Sequence, residues 1–484
     1  MKASGTSPIL AHLPIDRNAP VAIHRQIYDA LRRAILEGLL RPGQRIPSTR
    51  ELAIELGVSR LPVLTAYEQL RHEGYLQGKT GSGTCVSDEL PDDLVEPWGS
   101  DRARPRTKVS QRTVYRADVG SLRPFRMSQP ALDQFPHETW ARIVARHARA
   151  AKPALMTYGD SAGVPSLRVA IAEYLRTSRA VRCEADQVLI VSGSQAALTI
   201  CATAVLDAGD QVAIEEPGYY GSRAALQTHG AELVPVPVDD QGIDVAALDR
   251  LSRRVKAVYV TPSHQYPLGT SMSAARRLAL LDWAERRSAW IIEDDYDSEY
   301  RYVSRPLGAV QGLTQGARVI YIGSFSKVLF PAIRIGYLVV PSPLWSAFVQ
   351  AREAFDLFSP TLYQLALGEF IEDGHFGRHL RRMRTLYKSR RDALLDGLEK
   401  FCADALTVHR AEAGLYLAAF LEEGHRDADV VERMKHASLW ARALSSCYVS
   451  RPARQGLLLG FGGWDERRLL AATRTLGEVL RSGI

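Results

Sequence analysis

Lys327 lies in the stretch IYIGSFSKVLFPAIRIGYLVVP, which opens on an apolar run and turns through Gly323 and Ser324. It leaves through Arg334 and Gly336 into a second apolar run. A lysine between two buried strands is an expensive choice, because burying an ammonium costs hydration. The same burial lowers its pKa, which is what an amine needs to form an imine with an aldehyde. One reading is therefore a Schiff-base lysine for pyridoxal phosphate, with Ser324, Ser326 and Arg334 gathered for the phosphate. The other is a lysine at a loop tip with its ammonium in water.

Four further clusters fall, like Lys327, just after strand-like runs. Ser192-Gly193-Ser194-Gln195-Ala196-Ala197 follows Gln187–Ser192 and starts a helix, where backbone N–H groups could cradle a phosphate. Glu216-Pro217-Gly218-Tyr219 follows Gln211–Glu215 and offers an aromatic face to a flat ring. Pro262 to Gly269 follows Ala257–Val260. Glu293-Asp294-Asp295-Tyr296 follows Trp290–Glu293, and a carboxylate there could keep a pyridine nitrogen protonated. Turns favour these residue types on their own account; five clusters in series, each after a strand, point to one site.

The elements that position them alternate. Strand-like runs at Gln187–Ser192, Gln211–Glu215, Leu233–Val238, Ala257–Val260, Trp290–Glu293 and Val319–Ile322 are separated by helical stretches such as Gln195–Val205 and Ala274–Arg287. That pattern predicts a mainly parallel α/β sheet with ligand chemistry at strand ends.

Ahead of this region, apolar Ile27, Leu31, Ile35 and Leu39 stripe a helix over His24–Leu40, ended by Arg41-Pro42-Gly43. Ser48 and Glu51 form a capping box that opens a second helix, stopped at Gly57. Ser59 caps a third helix with Pro62 in its first turn and Val63, Ala66 and Leu70 inward. YLQGKTGSGTCV then reads as two short strands around a glycine-rich tip, a wing. On such a frame Arg60, Thr65 and Tyr67 fit a recognition helix in a major groove. Arg50, Arg60 and Lys79 would supply phosphate or guanine contacts, with Ser59 at the helix start and Ser82, Gly83 and Thr84 against the backbone.

The 484 residues allow two to four domains, and 46% apolar with 24% charged residues is ordinary for a soluble globular protein. No 18-residue apolar window suggests a membrane span. The opening MKASGTSPILAHLP lacks the pattern of a secretion signal. Five scattered cysteines without a CxxC pair suit a reducing cytoplasm and argue against a structural metal. The net charge of +7 sits towards the front: residues 1–85 carry +4, 86–100 carry −5 and 101–126 carry +6. A basic front suits a polyanionic partner. Residues 87–122, broken by Pro91, Pro97 and Pro105, read as a linker between a domain at 1–86 and another at 123–484.

The run RPGQRIPSTRELAIELGVSRLPVLTAYEQLRHEGYLQGKTGSGTCV resembles the winged helix of the GntR family of bacterial regulators. It departs at Leu61-Pro62, where that family usually carries polar residues. SGSQAAL, EEPGYYG, TPSHQYPLG, EDDYDSEY and GSFSKVLFPAIRIGY resemble the motif series of fold-type I, class I aminotransferases. That resemblance implies that Lys327 holds pyridoxal phosphate, Asp294 its pyridine nitrogen and Tyr296 its phenolic oxygen. Tyr219 would stack on the ring, and Gly193, Ser194, Gln195, Ser324, Ser326 and Arg334 would take the phosphate. Tyr158 resembles the residue that such dimers lend to the neighbouring site. Tyr266 stands where these enzymes usually carry an asparagine near the coenzyme oxygen. Leu458 stands where they carry an arginine for a substrate carboxylate, with Arg451 or Arg454 as substitutes.

Together the two halves resemble the MocR subfamily. The resemblance implies a cytoplasmic, homodimeric, promoter-binding regulator that responds to pyridoxal phosphate, with a small amine or amino acid as a further effector. Vitamin B6 metabolism is the expected target, with amine, amino-acid or taurine catabolism as the alternative. A working aminotransferase with an accessory front domain is the rival; a sensor with at most a residual half-reaction is the expectation.

Overall fold

The computed structural model describes residues 15–17, 19–79, 83–88, 90, 122–302, 308–313, 318–409, 412–450 and 452–482. The chain divides into two compact units, Met1–Val109 and Ser110–Ile484. The division falls inside the stretch read as a linker, most of which lies outside the described residues.

The first unit packs α1 (Ile23–Leu36), α2 (Thr49–Glu55) and α3 (Arg60–His72) against an antiparallel hairpin of β1 (Leu76–Lys79) and β2 (Gly83–Val86). Ile27, Leu31 and Ile35 are buried with Leu52, Val63, Ala66 and Leu70, each worth about 1.5–3 kcal/mol of burial for the larger side chains. The stripe expected to run on to Leu39 ends sooner. Gly38 adopts a left-handed φ of 73°, so Leu39 is 46% exposed and Leu40 enters the core instead. The helix stop is the cause: a glycine free to take positive φ ends the 3.6-residue period and re-aims the residues after it. The capping box is present, with Ser48 N–H donating to Glu51 Oε2 at 2.8 Å and Glu51 N–H to Ser48 Oγ at 3.2 Å. Ser59 occupies the extended N-cap position of α3, but its side chain makes no capping hydrogen bond.

The second unit is built on an eight-stranded sheet. Its strands are β3 (Val188–Val191), β4 (Gln211–Glu216), β5 (Glu232–Asp239), β6 (Gly242–Ile243), β7 (Val255–Val260), β8 (Trp290–Asp295), β9 (Val319–Ser324) and β10 (Gly336–Val339). Their order is β3-β10-β9-β8-β7-β4-β5-β6, parallel from β9 through β5. β10 runs antiparallel to both β3 and β9. The continuous apolar run of β3 is what a strand covered on both faces requires. Alternate residues go to opposite cores: Val188 and Ile190 to one, Leu189 and Val191 to the other. Helices Ser194–Val205 and Ala274–Arg287 lie where the sequence pattern placed them.

A second, antiparallel sheet is formed by β11 (Leu406–Val408), β12 (Tyr416–Leu421), β13 (Arg442–Ala443) and β14 (Gly456–Gly460), in the order β11-β12-β14-β13. Helices His375–Cys402 and Glu466–Arg481 pack against each other and on it. In its register Arg442 lies directly opposite Leu458.

Candidate functional site

The motif residues converge on one cavity of about 340 Å³. Each arrives from the end of a strand of the main sheet. After β3, Gly193 takes a φ of 105°, a conformation open to glycine and rarely to other residues, and lets Ser194 start a helix that faces the cavity. A Cβ at position 193 would also stand 3.4 Å from Arg334 Nη1. Ser324 ends β9, Ser326 donates its N–H to Ser324 Oγ at 3.2 Å, and Arg334 reaches the same wall. Helix-start N–H groups, two hydroxyls and a guanidinium make an anion cradle.

Lys327 lines the cavity, its Nζ 3.4 Å from the Ser128 carbonyl. Burial lowers its pKa to about 8, against the opposing pull of Asp297 and Asp294. Asp294 comes from β8. Tyr259 OH donates to its Oδ2 at 2.7 Å, while its buried Oδ1 has no hydrogen-bond partner among the described residues. Burial pushes this carboxyl up to about 7, with Asp295 and Asp297 adding to the rise and the Tyr259 hydrogen bond opposing it. An orphaned, desolvated oxygen is the feature expected of a carboxylate that awaits a cationic N–H. The strand's alternation separates Asp294 from its neighbour: Asp295 turns away, binding Arg179 at 2.7 Å and Tyr321 OH at 2.6 Å.

Tyr219 and Tyr266 meet edge to face in the cavity wall at 5.4 Å, and Gln195 Nε2 donates to Tyr219 OH at 3.3 Å. Tyr296 OH donates to the His264 carbonyl at 2.9 Å and lies 3.2 Å from Tyr416 OH. His264 is itself held by Asp297 at 2.9 Å. The chain thus brings together Lys327, Asp294, Tyr296, Tyr219, Ser194, Gln195, Ser324, Ser326, Arg334 and Tyr266 around one cavity, with Gly193 beside it. Tyr158 stays outside: it is 80% exposed and meets Phe358 edge to face.

Several wall residues were not anticipated. Arg126, Ser128 and Gln129 enter from the first residues of the large domain, just after the stretch read as a linker, and Trp440 and Arg442 from the two-residue strand β13 and its approach. No local pattern marks so short a strand. Of the two arginines considered in place of Leu458, Arg454 lies over the Phe420 ring at 4.9 Å rather than in the cavity wall, and Arg451 is outside the described residues. Arg442 is the arginine that the second sheet brings to the wall, one strand away from Leu458.

On the winged helix, Arg50, Ser59, Arg60 and Thr65 are exposed. Arg60 Nε donates to Thr49 Oγ1 at 3.1 Å, which ties the third helix to the start of the second. Tyr67 is a correction: it is 5% exposed and its OH donates to the Pro47 carbonyl at 2.9 Å, so it braces the core rather than facing a groove. It shares the inward stripe of Val63, Ala66 and Leu70. Gly83 is exposed and Thr84 half-buried on β2; Ser82 and the Lys79 side chain lie outside the described residues. Arg45, not singled out from the sequence, lies so near the wing that a Cβ on Gly83 would stand 3.5 Å from its Nε. Leu61, the departure from family pattern, is 68% exposed.

Residues 23–86 match the model for bacterial regulatory proteins of the gntR family, and residues 127–456 match that for aminotransferase class I and II. The probable rhizopine catabolism regulatory protein MocR of Rhizobium meliloti is 41% identical over 96% of this chain and 95% of its own. The HTH-type pyridoxine biosynthesis transcriptional regulator PdxR of Corynebacterium glutamicum is 34% identical over 98% of this chain and all of its own, 100%. Among solved structures, kynurenine aminotransferase of Pyrococcus horikoshii, crystallised with PMP, superposes with a TM-score of 0.69 at 27% identity. It covers 75% of this chain and 91% of its own.

Proposed function

Because the chain belongs to the MocR subfamily of gntR-family regulators, and is thereby an HTH-type transcriptional regulator, we propose that it binds promoter DNA and reads pyridoxal phosphate through its large domain. The observation that carries this reading is the shared cavity of a half-buried Lys327, with its pKa lowered to about 8, and an Asp294 whose Oδ1 lacks a partner among the described residues.

When bound, the coenzyme supplies an aldehyde that captures amines and a ring that withdraws electrons. The residues do the rest. At pH 7 a lysine titrating at about 8 is roughly one-tenth neutral, against roughly three parts in ten thousand at its ordinary value. Asp294 Oδ1 would accept the ring N–H and keep the proton on that nitrogen. The N–H groups of Gly193, Ser194 and Gln195, the hydroxyls of Ser324 and Ser326, and Arg334 hold the phosphate. Tyr219 would cover the ring, and Tyr296 and Tyr266 would serve its phenolic oxygen. Tyr158, exposed in its own chain, completes the cradle of a second copy in a homodimer.

Regulation then arises from linkage. The ligand must favour one arrangement of the dimer, and the linker conveys that arrangement to two winged helices on promoter DNA in the cytoplasm. Tight binding without such preference shifts nothing. The relative named for pyridoxine biosynthesis supports vitamin B6 metabolism as the regulated process; the relative named for rhizopine catabolism supports catabolism of an amine as the second reading.

The test is a visible absorption spectrum of the full chain with pyridoxal phosphate, followed by borohydride reduction and peptide mapping. A band that borohydride removes, with the reduced adduct on the peptide that contains Lys327, is expected. No band, or an adduct on other lysines alone, removes the coenzyme from the reading.

A further inference from the structure

Leu61 stands in the first turn of α3 and is 68% exposed. Leu64 and Thr65, three and four positions on, are its neighbours on the helix surface; Leu64 is half-buried and Thr65 exposed. The core of this unit takes Val63, Ala66, Tyr67 and Leu70 from the same helix and neither of the two leucines. Leu61, Leu64 and Thr65 therefore form a short strip on the outward side of α3.

A single exposed leucine is ordinary on a protein surface. Three features set this one apart. It sits on a stiff turn, because Pro62 beside it fixes its own φ and brings no N–H. The polar side chains around it are turned to the protein: Thr65 Oγ1 donates to the Leu61 carbonyl at 3.1 Å, and Arg60 Nε to Thr49 Oγ1 at 3.1 Å. With its one proton spent on the helix, the Thr65 hydroxyl has no donor left for a base edge, and its methyl remains. The strip also ends early, at exposed Glu68 about one turn beyond Thr65. That confines it to the start of the helix, the part of a recognition helix that meets base edges. The surrounding charge suits a polyanion: Arg60 precedes Leu61 in the chain, and Arg50 follows Thr49, the residue Arg60 binds.

We propose that Leu61 is a specificity residue for the operator sequence, and that with Leu64 and the Thr65 methyl it reads the 5-methyl groups of thymine in the major groove. The proposal rests on the reading that this unit binds promoter DNA. Of the base-pair edges in that groove, thymine alone offers a methyl. Leucine makes no hydrogen bond, so it gains by covering that methyl. Placed over another base edge it takes water from polar groups and gives them no partner, which costs affinity. Both effects favour thymine at the base pair that Leu61 meets.

The experiment selects duplexes from a random-sequence pool with the full-length protein. Each thymine of the enriched site is then replaced in turn by deoxyuridine, which keeps the pairing and lacks only the methyl, and affinity is measured at one fixed salt concentration. In the wild type, at least one replacement is expected to weaken binding about fourfold, the worth of one buried methyl. Leu61→Ala should bind the thymine duplex more weakly and respond to that replacement by less than about twofold, while Leu61→Met should keep part of the response. Both variants should fold, since Leu61 lies outside the core. The slope of log affinity against log salt should match the wild type in Leu61→Ala, because no phosphate contact is removed. No costly replacement in the wild type, a response that Leu61→Ala keeps in full, or a slope reduced by about 1 in that variant overturns the proposal. A wild type that enriches no sequence from the pool overturns the promoter-DNA reading itself.

Discussion

The two units dispose their charged groups in opposite ways. On the winged helix the charged side chains named for DNA, Arg50 and Arg60, are exposed in the first turns of α2 and α3. In the large domain the groups that matter are withdrawn from water: Lys327 is lowered to about 8 and Asp294 raised to about 7, each chiefly by burial. Exposed charges act nearly independently and are screened by salt. Buried ones are few, coupled to their neighbours and sensitive to pH. The first arrangement suits a long polyanion met at many points, the second a small molecule met once with covalent consequence.

The largest expected effect tests the buried side. Lys327→Ala removes the only amine that lines the cavity among the described residues, and should abolish covalent uptake while the fold's circular dichroism is kept. Uptake in the wild type should itself speed up as pH rises through about 8 and then level, because only the neutral amine attacks; stopped-flow absorbance across that range checks it.

Asp294→Asn comes next. Loss of the charged partner should weaken coenzyme binding by about ten- to a hundredfold, measured by equilibrium dialysis. The same variant tests the sign of the buried charge. Asp294 has a folded pKa of about 7, above its unfolded value, so the folded apoprotein holds the proton more tightly. Its contribution to stability is therefore greatest at low pH and declines as pH rises from about 4 through 7. Coenzyme-free Asp294→Asn should gain melting temperature over the wild type as pH goes from 5 to 8.

The smallest effects belong to the surface unit. Arg60→Ala should lower promoter affinity modestly and reduce the slope of log affinity against log salt by about 1. Tyr67→Phe should leave that slope unchanged and cost about 0.5–1.5 kcal/mol of winged-helix stability through the lost bond to Pro47. A Tyr67→Phe variant with a changed salt slope would return Tyr67 to the DNA face and blur the comparison.

How much of the chain was legible depends on the range of the interactions involved. Caps and periodicity act within one turn, so Ser48-Glu51 and helix Ala274–Arg287 are read directly from residue types. Glycine motifs after strands act over a few residues, and the Gly193, Ser324 and Lys327 loops do meet as the parallel sheet requires. The readings at Leu39 and Tyr67 missed for a local reason. A single left-handed glycine ended one helix early, and one position on the third helix faces inward where an outward one was assumed. Arg442 was invisible for a different reason. Its place depends on pairing a two-residue strand with Leu458 across the second sheet, a contact that no neighbouring residue encodes.

The most direct measurement is promoter affinity at one fixed salt concentration, with and without pyridoxal phosphate, for the wild type and Lys327→Ala side by side. If the buried site governs the exposed one, the coenzyme changes wild-type affinity or stoichiometry and leaves Lys327→Ala unmoved. Identical binding by the wild type in both conditions, or an equal response from the variant, would contradict it.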